Sequence, residues 1–321
     1  MIEQLYALID ETRNVKDVTI RAYISKIQRL YGKLHGEGND FENLDFLKKH
    51  EQVDDLIKDL RITTQRNYYS AIIVCLIAVG VEYKEDVEYY RDTLEALTQL
   101  HQDEMALNKK NEKQSNNWST LAELKKVMND YKKDLADRGV FSNATITKLQ
   151  YELLKKWVVT NLFLHDTNPP VRAKDYGIMK IIKADDYALL SDETKDENNY
   201  LVIYSKEKKV FYFADYKTKG AYGILEIKVG KVLNSVLNIY LHFHENEAFF
   251  VDTRGMPMSA NKFTQLVYEA FAPSGKHITI TLLRHIYITE KFPSKDQKKK
   301  ELTAARMGHS IVQQYEYAKD N

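Results

Sequence analysis

The chain has 321 residues, 44% of them hydrophobic and 29% charged, which is enough apolar material to bury a core and enough length to favour two domains over one. With 47 Lys+Arg against 46 Asp+Glu the net charge is only +1, so bulk charge neither requires nor forbids a nucleic-acid partner. A DNA surface would have to come from segregated charge, as in the acidic run Glu82 to Glu95 and the basic run Lys295 to Lys300. The single cysteine, Cys75, excludes an intrachain disulfide framework and a cysteine metal site, and its apolar neighbours mark it as a small core residue. The longest apolar run, Ala71 to Val79, is too short to cross a bilayer, and the N-terminus lacks a signal-peptide pattern. An intracellular protein with no membrane association is expected.

From Thr19, a residue type that caps helices, the positions Ile20, Tyr23, Ile24, Ile27, Leu30, Tyr31 and Leu34 keep helical spacing and predict an amphipathic helix ending near Gly36. A second start at Thr63 and Thr64 leads into Tyr69, Ile72, Ile73, Leu76, Ile77 and Val79, with Gly80 placed to cap the end. Shorter helices are expected around Phe46 to Leu60 and Val87 to His101, so residues 1–103 read as a helical bundle. Polar residues dominate Gln102 to Asn117, and 104–117 reads as a linker to a second domain, 118–321. That domain begins with helical patterns over Leu121 to Leu135 and Ile146 to Leu164. After Pro169 and Pro170 come strand-like runs at Tyr200 to Tyr204, Val210 to Phe213 and Ile224 to Val229, rich in β-branched and aromatic residues. Helical character returns from Ser259, apart from the loop Pro293 to Gln297. The fold class expected is mainly α with a small antiparallel β-sheet (α+β).

The stretch Ile280 to Asn321 carries the chemistry. Arg284-His285 stands on an apolar helix, a second helix from Leu302 runs into Gly308-His309-Ser310, and Tyr317 follows eight residues after His309. Upstream, Arg172 follows a long helix with Asp175 three residues on, and Lys217 lies where two strand-like runs meet. In this order the motifs resemble the tyrosine recombinases, or phage-type integrases, of viruses and mobile elements. The resemblance covers about Trp118 to Asn321 by motif, while residues 1–103 are similar to that family's core-binding domain only in pattern. It implies a site-specific recombinase that closes on double-stranded DNA, self-assembles there to a dimer or tetramer, and cleaves and rejoins strands through a 3′-phosphotyrosyl intermediate.

The resemblance implies Arg172, Lys217, Arg284, His309 and Tyr317 as the catalytic set, with Tyr317 the nucleophile and Asp175, Thr281 and His285 around it. Two arginines suit the charge that builds on the phosphate oxygens, because a guanidinium offers fixed, bidentate donors. A lysine suits the departing 5′ oxygen, which needs a proton. Guanidinium charge does what a divalent cation does in many nucleases, so no metal and no other cofactor is expected. Lys219, Lys298, Lys299 and Lys300 are candidate DNA contacts.

Each residue also has a plainer reading. Tyr317 is one of 22 tyrosines, and Tyr315 competes with it at a shorter distance from His309. Arg172 could form a surface ion pair, Lys217 and Lys219 could decorate an exposed hairpin, and His309 could simply end a helix. His242 and His244, two apart, do not share a helix face and make a poor metal pair. The family commonly has a histidine where Thr281 stands, and a threonine donates one hydrogen bond but is no acid or base near neutral pH. Many relatives continue beyond the tyrosine into a segment exchanged between subunits, whereas this sequence stops at Asn321. A topoisomerase of type IB, which uses similar chemistry, and a degenerate DNA-binding protein therefore stay open as alternatives.

Overall fold

In a computed structural model of the chain, residues 1–38, 40–107, 109–165 and 170–291 are described, together with Ala304 and Met307. They divide into two compact units, Met1–Leu107 and Asn108–Asn321. No helix among the described residues is long and apolar enough to cross a membrane.

The first unit is helical: α1 (Ile2–Thr12), α2 (Asp17–His35), α3 (His50–Ile57), α4 (Ile62–Val79) and α5 (Lys84–Ala106). Its centre is α4, which buries Tyr68, Tyr69 and Ala71 to Leu76 against α1, α2 and α5. Cys75 is fully buried there, and burial pushes its thiol up to about 12. Gly80 ends α4 at φ 152°, and its N–H donates to the Leu76 carbonyl at 3.2 Å. At the edge of the core His50 stacks on Tyr89 at 4.1 Å and bonds Asp86 at 2.7 Å, while Tyr69 donates to Asp54 at 2.8 Å. Within the polar stretch after His101, α5 continues to Ala106, and Glu112–Asn117 forms α6, capped by Asn111.

In the second unit two helices begin with reciprocal caps, Thr120 with Glu123 for α7 (Leu121–Asp137) and Thr147 with Gln150 for α8 (Lys148–Leu164). Then follow α9 (Ala173–Gly177), β1 (Lys180–Lys183), α10 (Ala184–Ala188), α11 (Asp192–Glu197), β2 (Tyr200–Ile203), β3 (Lys209–Phe213), α12 (Lys219–Tyr222), β4 (Leu225–Lys228), α13 (Lys231–His242), α14 (Ala260–Phe271) and α15 (Ile280–Lys291). The sheet runs β1-β2-β3-β4. Its last three strands pair antiparallel as the patterning predicts, but β1 joins β2 in parallel, so the sheet is mixed. Helices α7, α8, α13 and α14 and one sheet face enclose the core.

A close approach fixes α9 on α14. A Cβ added at Gly177 would lie 3.0 Å from the Phe263 Cβ and 3.4 Å from the Ala260 Cα. Gly177→Ala should therefore destabilise the unit by about 1–3 kcal/mol through overpacking, read as a lower urea midpoint at unchanged slope. An unmoved midpoint would mean that the two helices have slack.

Candidate active site

The first arginine is set by a turn. After Pro170 and Val171, both buried, Arg172 precedes α9 and is itself half-buried. Its main-chain N–H donates to Asp175 Oδ2 at 3.0 Å, and the Asp175 N–H donates back to the Arg172 carbonyl at 3.1 Å. Asp175, 5% exposed, thus shapes the backbone that presents Arg172. The turn is anchored by Tyr176, whose ring lies 5.5 Å from those of Phe211 and Phe213 and 5.9 Å from that of Phe163.

Lys217 lies on the connection between β3 and β4, which is no tight hairpin because it contains α12. Its side chain is exposed. Beside it, the buried Tyr216 donates its hydroxyl to the Gly223 carbonyl at 2.6 Å and closes the loop on itself. Burial pushes the Tyr216 phenol up; the charge of Asp175 adds to this and that of Arg172 opposes it. The link between the Lys217 loop and the Arg172 turn is Asn199, whose side chain bonds the main-chain carbonyls of both Asp175 and Asp215. Lys219, a candidate DNA contact, instead pairs with Asp196, its Nζ 3.0 Å from Oδ2 and 2.9 Å from the main-chain carbonyl.

The second arginine sits on α15. Arg284 is 2% exposed and His285 is buried beside it. The Arg284 Nη2 reaches the Met307 carbonyl at 3.5 Å, a long contact, and Met307 packs with Tyr287 and Ile288. Met307 directly precedes Gly308, so α15 meets the chain at the start of the Gly308-His309-Ser310 motif. His309, Tyr315, Tyr317, Lys298, Lys299 and Lys300 lie outside the described residues.

Thr281 is exposed on the first turn of α15 and lines a polar pocket of about 190 Å³ with Asn117, His277 and His285. His277, distant from Arg284 in sequence, thus shares a pocket with the residue at the family's histidine position. It is held there by a tilted ring contact with Tyr268, centroids 4.5 Å apart, and by its main-chain N–H, which donates to Asn117 Oδ1 at 2.7 Å.

The sequence gives no hint of Asn199, which is fully buried between these segments. Its Oδ1 accepts from the N–H groups of Ala214 (2.8 Å) and Asp215 (2.9 Å), and its Nδ2 donates to the carbonyls of Asp175 and Asp215, both at 3.1 Å. All four hydrogen-bonding positions of the carboxamide are used, which also fixes its orientation.

His244 is occupied structurally. Its Nε2 lies 2.8 Å from the Ala248 carbonyl, which only accepts, so Nε2 carries the proton and Nδ1 accepts from the Tyr151 hydroxyl at 2.5 Å. Burial pushes its pKa down. A histidine held neutral by the fold stabilises it above the unfolded pKa of about 6.5, and this contribution is lost as pH falls through the lowered folded value. The melting temperature of the native chain should therefore drop more between pH 7.5 and 5.5 than that of His244→Gln; equal drops would show that His244 does not titrate on unfolding.

No family model matches the sequence, and no curated protein matches it. Among solved structures, the chain is similar to a lambda integrase dimer bound to a COC′ core site. The TM-score is 0.50 and the identity 13%, over 98% of this chain and 92% of that one. It is also similar to the crystal structure of XerA recombinase, with a TM-score of 0.41 and 13% identity over 99% of this chain and 94% of that one. The chain has the tyrosine recombinase (integrase) fold: mainly helical, with a small mixed sheet.

Proposed function

We propose that this chain, which has the integrase fold, is a site-specific DNA recombinase that cuts and rejoins strands through a covalent bond to Tyr317. The observation that carries the reading is Arg284, a guanidinium withdrawn from water on α15 whose Nη2 reaches the carbonyl of Met307, the residue just before the Gly308-His309-Ser310 motif. A planar guanidinium fork buried from water suits phosphate oxygens, which is where charge develops in phosphoryl transfer. The Arg172 turn and the loop of the exposed Lys217, linked through Asn199, would supply a second guanidinium and an ammonium.

In the proposed reaction the Tyr317 oxygen attacks phosphorus and the bond from phosphorus to the 5′ oxygen breaks. Arg172, Arg284 and His309 hold the phosphate. The phenolic proton leaves to water, and Lys217 gives a proton to the departing 5′ oxygen and is reprotonated from solvent. The products are a 3′-phosphotyrosyl link and a free 5′ hydroxyl. Because one phosphoester replaces another, rejoining is the same exchange reversed; it needs no ATP and calls on no metal. The lambda integrase of similar fold is a dimer on a core site, which supports duplex DNA as the substrate and assembly of two or four copies on it.

The test is incubation with a nicked suicide duplex in EDTA, then denaturation in detergent. A protein–DNA adduct is expected. Clear, salt-dependent binding without an adduct on any duplex would overturn the reading in favour of a degenerate DNA-binding module. Relaxation of plasmid without exchange of partner strands would instead favour a topoisomerase of type IB.

A further inference from the structure

The buried carboxamide of Asn199 joins the two segments that carry the proposed phosphate ligand and the proposed proton donor. On one side it holds the Asp175 carbonyl, and Asp175 in turn is bonded both ways to the main chain of Arg172. On the other it grips Ala214 and Asp215 through three hydrogen bonds, two residues before Lys217. Its own carbonyl accepts from the Lys180 N–H at 2.9 Å, so the clamp is also tied to the sheet where β1 meets β2. The far end of the Lys217 loop is closed by Tyr216 on Gly223. Lys217 is therefore an exposed side chain on a backbone held by Asn199 before it and by the Tyr216–Gly223 bond around it.

We infer that Asn199 is a positioning residue: it sets the Lys217 ammonium against the phosphate that Arg172 holds, and so governs protonation of the leaving 5′ oxygen. The inference rests on the recombinase reading above. A core asparagine that served only stability would slow every step that needs the fold. One that acts through Lys217 should matter only when the leaving group needs a proton. An alcohol leaves poorly unprotonated, whereas a thiol ionises near pH 8.5 and departs as the thiolate.

Asn199→Asp keeps the shape but turns an oxygen towards the two carbonyls that Nδ2 served. Native chain, Asn199→Asp and Lys217→Ala are compared for adduct formation on an ordinary suicide duplex and on one whose scissile 5′ oxygen is replaced by sulfur. Both variants should be slowed by about 10²-fold or more on the oxygen duplex, the usual size of a lost general acid, and restored to the native rate on the sulfur duplex. An Asn199→Asp chain that cleaves the oxygen duplex at the native rate, or is equally slow on both, overturns the inference while the native adduct still upholds the recombinase reading. Full activity of Lys217→Ala overturns it too, because the residue acted upon would be the wrong one. Absence of a native adduct on either duplex removes both. Should Asn199→Asp fail to fold by circular dichroism, Asn199→Ser, which keeps a smaller donor and acceptor, is read in the same way.

Discussion

Tyr317→Phe should abolish the covalent DNA adduct completely while leaving duplex affinity and its salt dependence unchanged. A phenyl ring keeps the shape of the side chain but has no oxygen to bond to phosphorus, so no residual rate through the same route is possible. Affinity rests on phosphate contacts from lysines and arginines, which the substitution leaves in place. Tyr315→Phe is the control: it should form adduct at the native rate. Gel shifts at several salt concentrations and detergent gels with suicide duplex read the two properties separately. Loss of adduct in Tyr315→Phe with retention in Tyr317→Phe would move the nucleophile by two residues and keep the class. Adduct in both would remove the tyrosine assignment.

Arg284→Lys should lower the cleavage rate by about 10²–10³-fold, near 3–4 kcal/mol of transition-state stabilisation, with a much smaller effect on DNA binding. The substitution preserves the charge, so a purely coulombic role would tolerate it. It removes the planar fork, which a mobile ammonium on a flexible stem does not reproduce. Because Arg284 is almost entirely buried and its Nη2 faces the Met307 carbonyl, the variant should also melt lower. Single-turnover rates are therefore taken well below the variant's own melting transition. A rate within about threefold of native would place Arg284 in the scaffold rather than in contact with the reacting phosphate.

Much of this was legible in the chain itself where periodicity is strong. The stripes over Ile20 to Leu34 and Tyr69 to Val79 fall within α2 and α4, and the three runs read as strands overlap β2, β3 and β4. What was not legible has physical reasons. The strand β1 is only KIIK, too short for an alternation, and it exists because Lys180 to Lys183 register in parallel on Tyr200 to Ile203. The segment after His101 reads as a linker because it lacks large apolar residues, yet α5 continues to Ala106 and Glu112–Asn117 forms α6, since a helix that faces water needs none.

In the site, motif order pointed to Arg172, Asp175, Lys217 and Arg284, but only the structure separates Lys217, exposed, from Lys219, paired with Asp196. Asn199 had no signature, because its role is spread over partners 15 to 24 residues away in the chain. His277 stands seven residues before Arg284 in sequence, and the fold carries it into the Thr281 pocket. Contacts made between elements leave no period in a sequence.

The most direct test of the central claim is chemical. Adduct trapped on a suicide duplex is digested with nuclease and protease, and the nucleotide-bearing peptide is sequenced by mass spectrometry. The account predicts a phosphodiester remnant on Tyr317, on the peptide that follows Gly308-His309-Ser310; a remnant on any other residue, or a native chain that binds duplex tightly and never acquires one, would contradict it.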